Sequence, residues 1–231
     1  MIKDLQRFQM PEMKNLRDKG AKELLKNTAA EMQTDLNDQE LELFEIYLRE
    51  LNEWNRKINI TSIKNTEDII IKHFIDSLYV LKYVTLSGKI ADIGSGGGFP
   101  GIPLKIKKPA LDMVLIESSR KKANFLQHAI RSLHLKGIAV YNGRAEEFAG
   151  KGYFDFAISR ALADLTSICI LALPLLKMGG HIVSMKGKEA EKEIKEKQLQ
   201  DNGAKLIRMS SFTLPRDKGR RNIILIQKCF T

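Results

Sequence analysis

Early in the chain, apolar residues recur every three or four positions; later they come in short runs set between further helical stripes. Leu41, Phe44, Leu48 and Leu51 form one such stripe, opened by Asn37-x-x-Glu40 in the pattern of a capping box. A second stripe begins near Glu67 and carries Ile70, Phe74, Leu78 and Leu81, and Trp54 to Thr61 connects the two. Residues 1–34 are more polar and weakly amphipathic, with Leu5, Phe8, Leu16, Leu24 and Leu25 as candidate anchors. Beyond this part, apolar runs at Ile90 to Ile93, Met113 to Ile116, Ile138 to Tyr141 and Phe154 to Ile158 alternate with helical segments, as strands of a parallel sheet do. A fifth strand, His181 to Lys186, follows Gly179-Gly180, and a helix of mixed charge spans Glu189 to Asn202. Two last strands, Ala204 to Thr213 and Asn222 to Gln227, form a closing hairpin. The expected fold is α/β, a Rossmann-like, seven-stranded, mostly parallel sheet with an antiparallel edge. Residues 1–86 are expected to be a helical N-terminal extension packed on the core of a Rossmann-like domain, 87–231.

The junction after the first strand carries the most chemistry. It reads Lys89-Ile-Ala-Asp-Ile-Gly-Ser-Gly-Gly-Gly-Phe-Pro-Gly101, with Pro100 and Pro103 near the start of the helix that follows. Gly94, Gly96 and Gly98 alternate through the turn, and glycine permits both positive φ and close approach of a ligand to the main chain. A dinucleotide fingerprint needs a third glycine where Phe99 stands, and no Lys-Ser/Thr pair marks a triphosphate loop. Asp92, placed at the mouth of the loop, repels a pyrophosphate and attracts a cationic ligand without phosphate, such as S-adenosylmethionine.

Spacing supports that ligand. Glu117 ends the second strand 25 residues after Asp92, where a carboxylate accepts hydrogen bonds from ribose hydroxyls. Ser118 or Ser119 is expected to cap the next helix, which buries Ala123, Leu126, Ile130 and Leu133. The third strand leads to Gly143-Arg-Ala-Glu-Glu147 and the fourth to Ser159-Arg160-Ala161. Strand tips on one edge of a parallel sheet converge, so Asp92, Glu117, Glu146 and Arg160 are expected to be neighbours.

Composition narrows the partners. The net charge is +10, and from Lys186 onward 12 Lys and Arg face 6 Asp and Glu, which includes the basic loop Arg216-Asp-Lys-Gly-Arg-Arg221. Such an excess suits a polyanion. No apolar run approaches a membrane span, and no secretory core opens the chain. Cys169 and Cys229 read as small buried hydrophobes rather than a disulfide framework. His73, His128, His134 and His181 show no metal-ligand spacing with cysteine. A monomer in the reducing cytoplasm, without membrane or metal, is the expected state.

Several stretches resemble the bacterial RsmG family, glucose-inhibited division protein B. They are Trp54-Asn-Arg-Lys-Ile-Asn-Ile-Thr61, Lys72-His-Phe-Ile-Asp-Ser77, the loop from Asp92 to Pro103, Arg144-Ala-Glu146, Ile158-Ser-Arg-Ala161 and Lys186-Gly187. The resemblance implies a class I S-adenosylmethionine-dependent methyltransferase that acts on N7 of one guanine in 16S ribosomal RNA. By the same resemblance Gly94, Phe99, Ala145, Glu146 and Arg160 are cofactor contacts. Plausible roles put the backbone of Gly94 to Gly98 along the methionine moiety, Glu117 on the ribose and Ala145-Glu146 against the adenine edge. Arg160 binds the methionine carboxylate or orients the guanine, and the residues leave that choice open. His73, Lys186, Arg220 and Arg221 are the candidates for RNA contact, and Phe99 is a candidate either to stack on the guanine or to serve the core.

The chain lacks what other methylations need. The fourth tip has no Asn/Asp-Pro-Pro-Tyr/Phe for exocyclic amines, Cys169 sits in an apolar segment, and the fourth tip has no Asp for ribose transfer. Guanine N7 carries a lone pair and no proton, so alignment alone serves, and no catalytic acid or base is expected. The rival readings are a small-molecule methyltransferase of the same fold and a non-catalytic RNA-binding module.

Overall fold

The computed structural model describes residues 20–160 and 164–229, so the candidate anchors Leu5, Phe8 and Leu16 lie outside the described residues, as does Ala161. Helix α1 (20–31) buries Ala21, Leu25 and Ala29. Helix α2 (Asp38–Asn55) opens on the expected capping box, in which Asn37 accepts the Glu40 amide and Glu40 accepts the Asn37 amide, each at 2.9 Å. Its buried stripe contains Tyr47 besides the expected leucines. The next helical rod is not uniform: α3 (Thr66–Ile69) passes into a π-helical stretch (Ile70–Ile75), then α4 (Asp76–Leu78) and α5 (Val80–Tyr83). Such wide turns recur at functional sites.

Strands β1 (Lys89–Ile93), β2 (Asp112–Glu117), β3 (Ile138–Asn142), β4 (Phe154–Arg160), β5 (Leu176–Lys186), β6 (Ala204–Thr213) and β7 (Arg220–Lys228) form one sheet in the order β3-β2-β1-β4-β5-β7-β6. The first five are parallel, and β7 runs antiparallel between β5 and β6. Helices α6 (Gly101–Lys107), α7 (Arg120–Ser132) and α8 (Leu165–Ala172) cross between strands, while α9 (Ala190–Glu193) and α10 (Glu196–Asp201) precede β6. Successive residues serve opposite faces, as the pleat requires. Ile90, Leu115, Ile158 and Val183 join the apolar layer that also holds Leu41, Phe44, Ile71, Phe74 and Leu78. Ala91, Ile116, Ala157 and Ile182 join the layer under α8. The N-terminal helices therefore share one core with the sheet.

Three local expectations change. Strand β5 starts at Leu176, because Gly179-Gly180 lies within the strand; a side chain at Gly180 would come within 2.9 Å of the Lys177 carbonyl. The mixed-charge helix breaks into α9 and α10, since Ile194 turns extended and packs toward the second apolar layer. Cys229 is exposed just past β7, while Cys169 is buried as expected. Among the described residues no helix is long and apolar enough to cross a membrane.

Candidate active site

The sheet changes direction between β1 and β4, with β2 and β3 to one side and β5 to the other. A crevice opens outside the carboxyl ends of strands at such a switch point. A cavity of about 810 Å³ lies there, walled by Gly94 to Gly97, Phe99, Arg160 and Met185 to Gly187 from the sheet edge. Ile60, Thr61, Ile63, Lys72, His73 and Asp76 close it from the helical part, and Arg221 from the start of β7. Its size falls in the roughly 300–1,000 Å³ range of small-molecule sites.

The glycines divide by role. Gly94, Gly96 and Gly98 have φ of 71°, 57° and 91°. A Cβ on Gly96 would meet nothing nearer than the Gly94 carbonyl at 3.8 Å, which leaves room for a ligand against the main chain. A Cβ on Gly98 would lie 2.6 Å from Ile102 Cδ1 and 2.7 Å from Tyr47 Oη. Gly98 does not border the cavity, and its lack of a side chain lets α2 and α6 close on the loop.

The acids also differ from expectation. Asp92 is fully buried beneath the loop, not at its mouth, and its Oδ2 accepts the Gly101 amide at 2.9 Å. Burial pushes its carboxyl up to about 7, although the Gly101 amide and Arg160 pull it down. Its Oδ1 has no hydrogen-bond partner among the described residues, and neither has Asp76 Oδ1. Glu117 holds the turn: Oε2 accepts the Gly96 amide and Oε1 the Ser119 amide, both at 2.8 Å. Ser119 is the N-cap of α7, yet its side chain makes no capping bond; its own amide is the one bound by Glu117. Glu146 is exposed on a one-turn helix (Ala145–Glu147) after β3, where Ala145 is buried. Of the four tip residues expected together, only Arg160 borders the cavity. The tips stand in a row along the edge, with β3 and β4 three strand spacings, about 14 Å, apart. That row suits an elongated ligand rather than a point of convergence.

Arg160 organises the opposite wall. Its Nη1 donates to the Lys72 carbonyl at 2.8 Å, and its Nη2 donates to His73 Nδ1 at 3.0 Å. Asp76 Oδ2 lies 3.5 Å from Arg160 Nη1 and 3.6 Å from Arg221 Nε. Burial raises the Asp76 carboxyl above its ordinary value, against the pull of both guanidinium groups. His73 stacks on Phe99 with centroids 4.4 Å apart, and the Arg160 guanidinium sits 4.9 Å from the same ring. Phe99 is thus buried among His73, Tyr47 and Phe74. Burial first, then the Arg160 charge, drives the His73 imidazole down to about 3, so it is neutral. Nδ1 lies 3.0 Å from Arg160 Nη2 and 3.1 Å from the Lys72 carbonyl oxygen. That carbonyl already accepts Arg160 Nη1 at 2.8 Å, and an arginine can only donate, so we assign Nδ1 as the acceptor and the proton to Nε2. Nε2 lies 2.9 Å from Thr61 Oγ1.

Among the substrate candidates, His73, Lys186 and Arg221 border the cavity and Arg220 does not. The basic loop is largely paired within the molecule. Arg216 meets Glu67 at 3.3 Å, Lys218 meets Asp68 at 2.9 Å, and Arg220 meets Glu191 at 3.4 Å. Lys186 meets Glu193 at 2.9 Å. Thr61 and Asp76 also border the cavity without having been expected there, although both lie inside the stretches that carry the family resemblance.

Residues 40–223 match the sequence model of GidB, rRNA small subunit methyltransferase G. The chain belongs to this family. A ribosomal RNA small subunit methyltransferase G of Geobacter sp. (strain M21) is 43% identical over 210 residues, which cover 89% of this chain and 97% of the relative. A protein of the same name from Bacillus cereus is 41% identical over 201 residues, 84% of each chain. Among solved structures, P. horikoshii TYW2 in complex with MeSAdo gives a TM-score of 0.55 at 16% identity, over 67% of this chain and 62% of that one. A SAM-dependent methyltransferase from Aquifex aeolicus gives 0.54 at 16% identity, over 70% and 93%. These two share the fold.

Proposed function

We propose that the chain transfers a methyl group from S-adenosylmethionine to N7 of one guanine in 16S ribosomal RNA. Family membership supports small-subunit ribosomal RNA as the substrate. The observation that carries N7 is that the one imidazole in the cavity wall has both ring nitrogens engaged. His73 is held neutral with one ring nitrogen on Arg160 and the other on Thr61, so it has no free site to take a proton. Cys169 is buried in α8, outside the cavity, and its thiol is pushed up to about 11, which leaves no thiolate for attack at carbon. A ring nitrogen with its own lone pair and no proton to lose is the acceptor that such a wall serves.

The residues present fit the cofactor. Gly96 offers open main chain, Glu117 keeps lone pairs beyond the two amides it accepts, and the partnerless oxygen of Asp76, which borders the cavity, suits a cationic donor. S-adenosylmethionine supplies a methyl on a positively charged sulfur. The loop and Glu117 would hold its methionine and ribose portions, and the turn at Ala145 and Glu146 its adenine. Arg160, fixed by Lys72, His73 and Asp76, orients the guanine side of the cavity rather than moving protons. His73, Lys186 and Arg221 are proposed to meet the RNA, which must present an unstacked guanine to reach this depth.

The test is transfer of labelled methyl to small-subunit RNA or particles from cells lacking the enzyme, with the product mapped by mass spectrometry of digests. A single 7-methylguanine is expected. Label on another atom or on small molecules alone overturns the proposal.

A further inference from the structure

Thr61, in the cavity wall, is held at both its main chain and its side chain. Asn55, at the end of α2, binds it from both sides: Oδ1 accepts the amides of Ile60 at 2.8 Å and Thr61 at 3.0 Å, and Nδ2 donates to the Thr61 carbonyl at 2.9 Å. Its hydroxyl oxygen is equally committed. With Nδ1 of His73 taken by Arg160, the Nε2 proton points at Thr61 Oγ1, and the Ile63 amide donates to the same oxygen at 3.2 Å. Both lone pairs are used, so the hydroxyl can act only as a donor. With the proton on His73 Nε2, neither hydrogen bond at Thr61 Oγ1 uses its own hydrogen, and Thr61 borders the cavity.

We propose that Thr61 is a specificity-determining positioning residue whose hydroxyl donates to O6 of the target guanine. The inference rests on the guanine-N7 reading above. The edge of guanine that carries N7 presents O6 beside it, a second acceptor, whereas adenine presents an amino donor at that place. A hydroxyl that cannot accept therefore favours guanine and rejects adenine. The relay from Arg160 through His73 to Thr61 sets that polarity before the base arrives, so no reorganisation is needed on binding.

The experiment is a cycle of two enzymes and two substrates, read by single-turnover methylation and by cofactor affinity. The RNA carries either guanine or 2-aminopurine, which lacks O6, at the target position. On guanine, Thr61→Val is expected to be roughly tenfold slower than the wild type, with cofactor affinity unchanged and with Thr61→Ser restoring most of the rate. On 2-aminopurine the wild type is expected to lose a similar factor and Thr61→Val to lose nothing further. A Thr61→Val defect of equal size on both bases would mean a structural role and overturns the proposal. So would a fall in cofactor affinity that accounts for the rate, or no defect on guanine. Failure of the underlying reading shows separately, as wild-type product methylated at an atom other than N7.

Discussion

Arg160 Nη2 lies 3.0 Å from His73 Nδ1, and the histidine is buried against Phe99 with its second nitrogen on Thr61. One guanidinium thus fixes the tautomer of one imidazole, and through it the polarity of a hydroxyl in the cavity wall. The same guanidinium ties β4 to the π-helical stretch through the Lys72 carbonyl. The reaction side of the cavity is therefore held by the N-terminal helices as much as by the sheet.

Replacing Arg160 by Gln removes the charge and the two-pronged grip. Activity is expected to fall about a hundredfold, as at other sites where a fixed fork of donors is lost. The His73 pKa is expected to rise from about 3 yet stay below 6.5, because burial is its largest cause and Arg160 the second. Imidazole NMR titration reads this directly. A value unmoved by the substitution would assign the whole shift to burial.

Gly96→Ala and Gly98→Ala separate binding from packing. Both have positive φ, which strains alanine by roughly 1 kcal/mol. At Gly98 the methyl also strikes Ile102 and Tyr47, so a further loss of about 1–3 kcal/mol is expected in denaturant unfolding. At Gly96 the methyl enters open space and little further stability is lost, but cofactor affinity is expected to drop at least tenfold by calorimetry. Matching stability losses in the two variants would contradict this division.

The strands were legible because each apolar run has a side chain for both faces, as Ile90 and Ala91 or Ile158 and Ala157 show. The capping box at Asn37 and Glu40 was legible because both partners lie three residues apart. What escaped depends on residues distant in the chain. Arg216 and Lys218 form a basic run in sequence, but their acids, Glu67 and Asp68, come from α3, far earlier in the chain. Gly98 reads like its neighbours Gly94 and Gly96, and only the approach of Tyr47 and Ile102 reveals its different duty. The π-helical turn at Ile70–Ile75 leaves the apolar stripe intact and so has no signature in the residue pattern.

Arg220 and Arg221 are adjacent in sequence but unequal in place. Arg220 makes an exposed pair with Glu191, of a kind worth about 0–1 kcal/mol, and Arg220→Ala is expected to leave methylation within about twofold of the wild type. Arg221 faces the cavity beside the buried Asp76, and Arg221→Ala is expected to weaken use of RNA at least tenfold while cofactor affinity holds. Glu117→Ala should do the opposite, since it releases the Gly96 and Ser119 amides that shape the loop. Measuring cofactor and RNA affinity on all three variants checks the partition, and a shared loss of cofactor binding in Arg221→Ala and Glu117→Ala would refute it.

Asp92→Asn tests the buried acid through the pH dependence of folding. The carboxyl has a pKa of about 7 when folded and 3.8 as the ordinary value, with burial as the main cause. A raised folded value means that folding takes up a proton between those limits, so its stabilising contribution is full below about 3.8 and lost as pH rises through 7. Asparagine cannot ionise, and its side-chain oxygen can still accept the Gly101 amide. The stability of Asp92→Asn relative to the wild type is therefore expected to improve by nearly 3 kcal/mol, roughly two pKa units' worth, between about pH 5 and about pH 8, measured by urea unfolding without cofactor. A difference independent of pH would show that Asp92 is ionised throughout, and the charge beneath the glycine loop would then be permanent rather than conditional.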